Sequence, residues 1–177
     1  MLKTILIVVV VAIAVLLIYA ATKPDTFRIQ RSATIAAPPD SVFGLINDLH
    51  AWASWSPWEK KDPAMRKTYS GPAQGKGVAL EWDGNKDVGM GRMEILESIL
   101  PSKVLIQLGF FKPFKAHNTA EFTLTPSGSS TQLTWAMYGP QPYMFKVMTL
   151  FCSMDKMVGK DFEDGLANLK ALAEKMT

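Results

Sequence analysis

Cysteine is nearly absent from this sequence. Cys152 stands alone, which excludes an internal disulfide and a cysteine-rich metal site. Its apolar neighbourhood predicts a buried, inert thiol. Histidine is almost as scarce, and neither His50 nor His117 falls in an HxxxH or HExxH pattern. A nucleophile elbow is missing, so serine, histidine and aspartate have no frame for a triad. Gly71-Pro-Ala-Gln-Gly-Lys-Gly77 lacks the GxxxxGK(S/T) pattern. Gly89-Met90-Gly91 is too short for a dinucleotide fingerprint, and both glycine-rich stretches read as sharp turns. No metal, cofactor or catalytic constellation is expected. A Lys/Arg run is also missing: the 19 basic residues less Lys3 leave 18 against 16 acidic ones. That balance points neither to nucleic acid nor to a strongly anionic membrane surface.

What the sequence does have is one long apolar run. Nineteen residues between Lys3 and Lys23 carry no formal charge, and Ile5 to Leu17 is almost wholly Ile, Val, Leu and Ala. As a helix this stretch measures about 28 Å, at ~1.5 Å per residue, close to the roughly 30 Å hydrocarbon core. A cleaved signal peptide competes, with Lys3 as its positive start and Tyr19-Ala20-Ala21-Thr22 as its end, but the apolar core is longer than such peptides need. A buried soluble helix is disfavoured by the lack of a polar face. The expectation is a single-pass anchor over residues 1–22, followed by one domain over 25–177. Lys3 and the N-terminal amine favour a cytoplasmic N-terminus with the domain outside. Thr22-Lys23-Pro24-Asp25 is a short, stiff exit that keeps the domain close to the bilayer.

Phe27, Ile29, Ala33 and Ile35 alternate with Arg28, Gln30, Ser32 and Thr34, the period of a half-buried strand. Arg31 falls on the apolar parity and is the exception. Pro38-Pro39-Asp40 ends the strand and opens a helix with Val42, Phe43, Ile46 and Leu49 on one face. Trp52-Ala53-Ser54-Trp55-Ser56-Pro57-Trp58 reads as a short helical turn and then a loop, since Pro57 disfavours helical geometry at Ser56. Glycine and proline then mark off strands at 64–70, 77–83, 88–98, 103–110, 116–125 and 131–138. Their spacing is too close for βαβ crossovers, so the sheet is expected to be mainly antiparallel. Pro126-Ser-Gly-Ser-Ser130 is the clearest hairpin turn. Tyr143 to Phe151 is a short apolar helix, and Ser153 caps a longer one reaching about Lys175. Met157, Phe162, Leu166, Leu169 and Leu172 form its apolar stripe, and a curved antiparallel sheet is the natural partner. The layer pattern is α+β.

This order resembles the helix-grip fold of the START-like, Bet v 1-like superfamily, and more narrowly the SRPBCC proteins of the polyketide cyclase/dehydrase and lipid-transport type. The stretches that carry the resemblance are Ala33 to Phe43, Asn47-Asp48-Leu49, the Trp52 to Trp58 segment, Gly89-Met90-Gly91, Thr131 to Trp135, and Gly159 to Lys170. They span about 25–175. The resemblance implies an apolar cavity between sheet and terminal helix, and a range of members from lipid carriers to aromatase/cyclases. It specifies fold well and activity poorly.

Trp52, Trp55 and Trp58 are candidates for a cavity mouth, each offering apolar area and an N–H; packing of the small helices against the sheet is the competing role. Met144 and Met148, with Tyr143, Phe145, Val147, Leu150 and Phe151, suit an adaptable lid or a shallow membrane contact, as well as simple packing. Met157 joins them from the terminal helix. Arg31, Glu81, Arg92, Glu94, His117, Glu121 and Asp161 are the polar candidates, with the inward side of each strand left open. The expected function is noncatalytic binding of a hydrophobic or amphipathic small molecule by a membrane-tethered domain. Two alternatives stand beside it. One is a cyclase/dehydrase-like enzyme using Glu81, Glu94, His117 or Glu121, and the other is a protein-interaction module built on the Trp-rich loop or the 143–151 segment.

Overall fold

The computed structural model describes residues 1–176. Leu2–Ala21 form α1, in which only Ala20 is buried, and which is long and apolar enough to cross a membrane. Four residues later the chain enters β1 (Thr26–Ile35). Ile29 and Ile35 join the core, with Phe27 and Ala33 packed against it. Arg31, on the same parity, ends in ion pairs with Asp155 and Glu163 of the terminal helix, each at 2.8 Å. The exception in the alternation is therefore an inward charge met at the sheet edge by two carboxylates.

Pro38 caps and Pro39 opens α2 (Pro39–Asn47), whose Val42, Phe43, Leu45 and Ile46 are buried. A 3-10 turn over Ala51–Ser54 follows. The loop expected after it is instead α3 (Pro57–Lys61). Ser56 is extended as its proline neighbour demands, but Pro57 takes the first helical position, where its fixed φ and missing N–H cost nothing.

The remaining strands are β2 (Arg66–Ser70), β3 (Ala79–Asp83), β4 (Met90–Ile99), β5 (Lys103–Lys112), β6 (Ala116–Ser127) and β7 (Ser130–Pro140). They form one antiparallel sheet in the order β1-β7-β6-β5-β4-β3-β2. Gly128 turns the β6–β7 hairpin at φ 61°, and a register shift between Ile95 and Glu97 interrupts the β4–β5 pairing.

After α4 (Tyr143–Thr149), the sheet curves around α5 (Met154–Ala173). Ser153 caps α5, its hydroxyl accepting from the Lys156 N–H at 3.3 Å. Phe162, Leu166, Leu169 and Ala173 form the buried stripe. Met157 lies off that stripe and is exposed, its place taken by Val158, which packs against the core. Cys152 is exposed rather than buried, because the α4–α5 junction lies on the surface.

Candidate functional site

The concave face of the sheet alternates large side chains with gaps. Leu80 and Trp82 on β3, Met93 on β4, Leu108 and Phe110 on β5, and Trp135 and Met137 on β7 point to the same side. Val158 and Phe162 of α5 line the same space, together with Trp52 and Trp58. The space left between is a cavity of about 140 Å³. Its walls are almost wholly apolar. Gly91 contributes by absence: a Cβ there would lie 2.5 Å from the Trp82 ring, so the bare backbone is what lets that indole lie across β4. Gly89, at φ 73°, is the turn residue the sequence suggested.

Trp135 is the centre of the site. Its indole stacks on Phe162 at 4.2 Å between centroids and on Phe122 at 5.0 Å, while Trp52, Trp55 and Trp58 meet it edge-on. A Cβ at Gly165 would lie 2.8 Å from its Cζ3, which places the benzo edge of the indole against α5. Nε1 lies at the opposite end of the indole from Cζ3, turned away from that contact. It is buried and, among the described residues, the only buried side-chain polar atom without a hydrogen-bond partner. An orphaned donor of this kind costs about 1–3 kcal/mol.

The Trp-rich segment divides its roles. The Trp52 N–H donates to the Ile46 carbonyl at 2.9 Å and the Trp55 N–H to the Leu45 carbonyl at 3.0 Å, so both are held on the end of α2. Trp52 and Trp58 line the cavity, whereas Trp55 packs behind them, fully buried. Glu59, in the first turn of α3, is the one carboxylate among the lining side chains. It accepts from Lys67 at 2.7 and 2.8 Å, and both side chains are about four-fifths covered.

Glu81, Glu94 and Glu121 stand on the other parity from Leu80, Met93 and Ala120, on the outer face of the sheet. Arg92 lies between the first two, 3.6 Å from Glu81 and 2.7 Å from Glu94. Glu121 accepts from the Tyr138 hydroxyl at 3.2 Å, and burial, then Glu121, push the phenol's pKa up. None of the three carboxylates lines the cavity. His117 and Met157 line a second cavity of about 330 Å³, which shares Phe110, Met137 and Val158 with the first. Met144 is exposed on α4 and Met148 is half-buried there; neither lines either cavity. Among the described residues no three His, Cys, Asp or Glu side chains converge as a metal site. The site residues that sequence reasoning passed over are Trp135, Trp82, Met93, Met137 and Glu59. The alternation Leu133-Trp135-Met137 was the available signal for two of them.

The family described as polyketide cyclase / dehydrase and lipid transport matches residues 26–174. The chain belongs to that family. Within the wider SRPBCC, START-like superfamily, its fold is shared with the ZhuI aromatase/cyclase from Streptomyces sp. R1128, at TM-score 0.62 and 13% identity over 85% of this chain and 94% of that one. Ms6760 from Mycobacterium smegmatis aligns at TM-score 0.60 and 20% identity, over 88% and 96% of the two chains. DynU16, from the dynemicin biosynthetic locus, aligns at 0.56 and 19% over 88% of this chain and 49% of its own. No curated protein matches the chain. The polyketide cyclase / dehydrase and lipid transport domain found here is thus a small-molecule- and lipid-binding helix-grip fold, preceded by a single apolar helix suited to a membrane anchor. The expectation of a noncatalytic domain is corrected by the same comparisons. The family description itself names a cyclase and dehydrase, and a neighbour with this fold is an aromatase/cyclase. The lack of a familiar triad or metal motif therefore does not class the chain as a non-enzyme.

Proposed function

We propose that residues 1–22 anchor the chain in a membrane, and that the domain over 25–177 binds a hydrophobic molecule carrying one hydrogen-bond acceptor. Trp135, whose ring lines an apolar cavity and whose N–H is buried without a partner, is the observation that carries this reading. Size supports it too. A dry apolar cavity of about 150 Å³ takes one benzene-sized ring, so the first cavity suits a single ring or a short branched chain. A longer molecule extends into the second cavity, and the two together fall in the ~300–1,000 Å³ range of small-molecule pockets. Lys3 and the N-terminal amine support a cytoplasmic N-terminus with the domain outside. Titration of the full chain in detergent with 2-acetylnaphthalene, a flat apolar ketone, tests the binding. Saturable quenching of tryptophan emission is expected, and its absence at the probe's solubility limit counts against the proposal.

A second reading is acid–base chemistry on the bound molecule, and Glu59 favours it as the carboxylate of the cavity wall, held by Lys67. A ketone oxygen bound by the Trp135 N–H has a more acidic α-proton, because negative charge developing on that oxygen is stabilised. Glu59 is the group to take that proton and hand it on to a β-hydroxyl, which leaves as water while the carboxylate is restored. Dehydration of 4-hydroxy-4-phenylbutan-2-one, followed by the near-ultraviolet absorbance of its enone product, tests this reading. Turnover abolished by Glu59→Gln with ketone binding retained is the expected result; turnover that survives the change removes Glu59 from the role.

A further inference from the structure

The end of the domain next to α1 differs from the rest of its surface. Among the described residues beyond residue 21, ten large apolar side chains are exposed, and six of them, Phe111, Phe114, Tyr143, Met144, Phe151 and Met157, lie at this end. Met144 and Phe151 are each 74% exposed and Phe114 61%. They come from the end of β5 and its connection to β6, from α4 and its junction with α5, and from the start of α5. A ring contact between Phe114 and Phe145 at 6.1 Å ties the first two together. Lys112 and Lys115 flank the phenylalanine and are exposed.

The position of α4 decides what this patch faces. The Tyr143 hydroxyl donates to the Leu17 carbonyl at 3.0 Å, and Leu17 sits four residues before the end of α1. At ~1.5 Å per residue that is about 6 Å back along the helix axis. The twenty residues of α1 measure about 30 Å in all, the thickness of the hydrocarbon core. The helix has no turn to spare, so a span that uses its full length brings Tyr143 down to the lipid boundary. Tyr19 and Lys23, joined at 2.9 Å, occupy the same level and are interfacial residue types.

We infer that the anchor end of the domain rests in the bilayer interface, with Phe114, Met144 and Phe151 in lipid, so that the second cavity opens onto the membrane. This rests on reading α1 as a span. Phe114, Phe145 and Met157 line the second cavity. Through the shared Phe110, Met137 and Val158 it adjoins the first. A molecule dissolved in the bilayer then reaches Trp135 without crossing water, and Lys112 and Lys115 face the lipid headgroups.

The test uses the full chain in phosphatidylcholine vesicles with a minority of phosphatidylglycerol and with spin-labelled lipid quenchers. A bimane fluorophore is placed on native Cys152, and in a Cys152→Ser background on Phe114→Cys, on Ser129→Cys at the far hairpin, and on Val10→Cys within α1. Emission at 114 and 152 is expected to fall to less than half with a headgroup-level quencher, while 129 is unaffected. Position 10 is expected to respond to a quencher at the chain centre. Quenching at 10 without quenching at 114 and 152 overturns this inference and leaves the anchor standing; that pattern also fits a second copy covering the patch. No quenching at 10 overturns the anchor and the inference with it.

Discussion

Replacing Trp135 by Phe separates two effects that a Trp→Ala change would merge. The substitution keeps a ring between Phe122 and Phe162 and removes the orphaned N–H. In the empty protein, deleting an unsatisfied buried donor is worth about 1–3 kcal/mol in favour of the variant. The smaller ring loses about 2 kcal/mol of burial, at ~0.8 kcal/mol per methylene-sized group. These terms oppose each other, so the urea midpoint is expected to move by less than the equivalent of about 1 kcal/mol. Binding should move more selectively. A net hydrogen bond of about 0.5–1.5 kcal/mol corresponds to roughly a two- to tenfold loss of affinity for 2-acetylnaphthalene. Its hydrocarbon analogue 2-ethylnaphthalene, which offers no acceptor, should bind the variant as well as it binds the parent or better. Calorimetric titration of both ligands against both proteins supplies the four affinities. Equal losses for ketone and hydrocarbon would refute the reasoning, because the change would then report lost packing and no hydrogen bond.

Two glycines of α5 should respond differently to alanine. A Cβ at Gly165 meets the locked Trp135 ring at 2.8 Å and Pro57 at 3.2 Å. Overpacking of about 1–3 kcal/mol outweighs a helix-propensity gain of about 1 kcal/mol, and thermal stability falls. At Gly159 the Cβ meets the guanidinium end of Arg31, a flexible side chain that can shift, so stability is held or raised; the reverse ranking in thermal melts would contradict the packing argument. Glu174 accepts from the Ala36 N–H at 2.7 Å, and this bond, then Lys170, holds its pKa below the ordinary 4.5. Its contribution is full above that value and disappears as pH falls through the lower folded-state value. Glu174→Gln should therefore be less stable near neutrality and show a shallower acid limb in urea midpoints measured against pH; parallel limbs would count against it. Ala120→Leu, which adds a side chain to the cavity wall, should abolish binding of both naphthalenes while the far-ultraviolet spectrum is kept. Retained binding would place the ligand elsewhere.

The architecture was legible because the chain marks its elements strongly. The alternation in 27–35, the apolar residues at helical spacing in 162–172 and the Gly128 hairpin all reappear as β1, α5 and the β6–β7 turn. Arg31 looked like a fault in β1 because its partners lie more than a hundred residues away on α5. Pro57 reads as the end of helical structure but begins α3, a distinction that depends on the extended Ser56 preceding it. The site was harder to see. Clustering drew attention to Trp52, Trp55 and Trp58, but the tryptophan with the unused N–H stands alone on β7. Strand parity grouped Leu133, Trp135 and Met137 without saying that their side faces α5. The same ambiguity made Glu81, Glu94 and Glu121 eligible, and only the curvature of the sheet puts them outside. Glu59 was inconspicuous because it falls in a stretch read as loop.

Native mass spectrometry of the full chain, released gently from mild detergent after purification from its membrane, tests the central claim most directly. The account predicts a fraction of the protein carrying one apolar small molecule per chain. That added mass should be lost in Ala120→Leu and kept in Ser129→Cys, which lies at the far hairpin. A parent protein free of added mass that also fails to bind 2-acetylnaphthalene would contradict it.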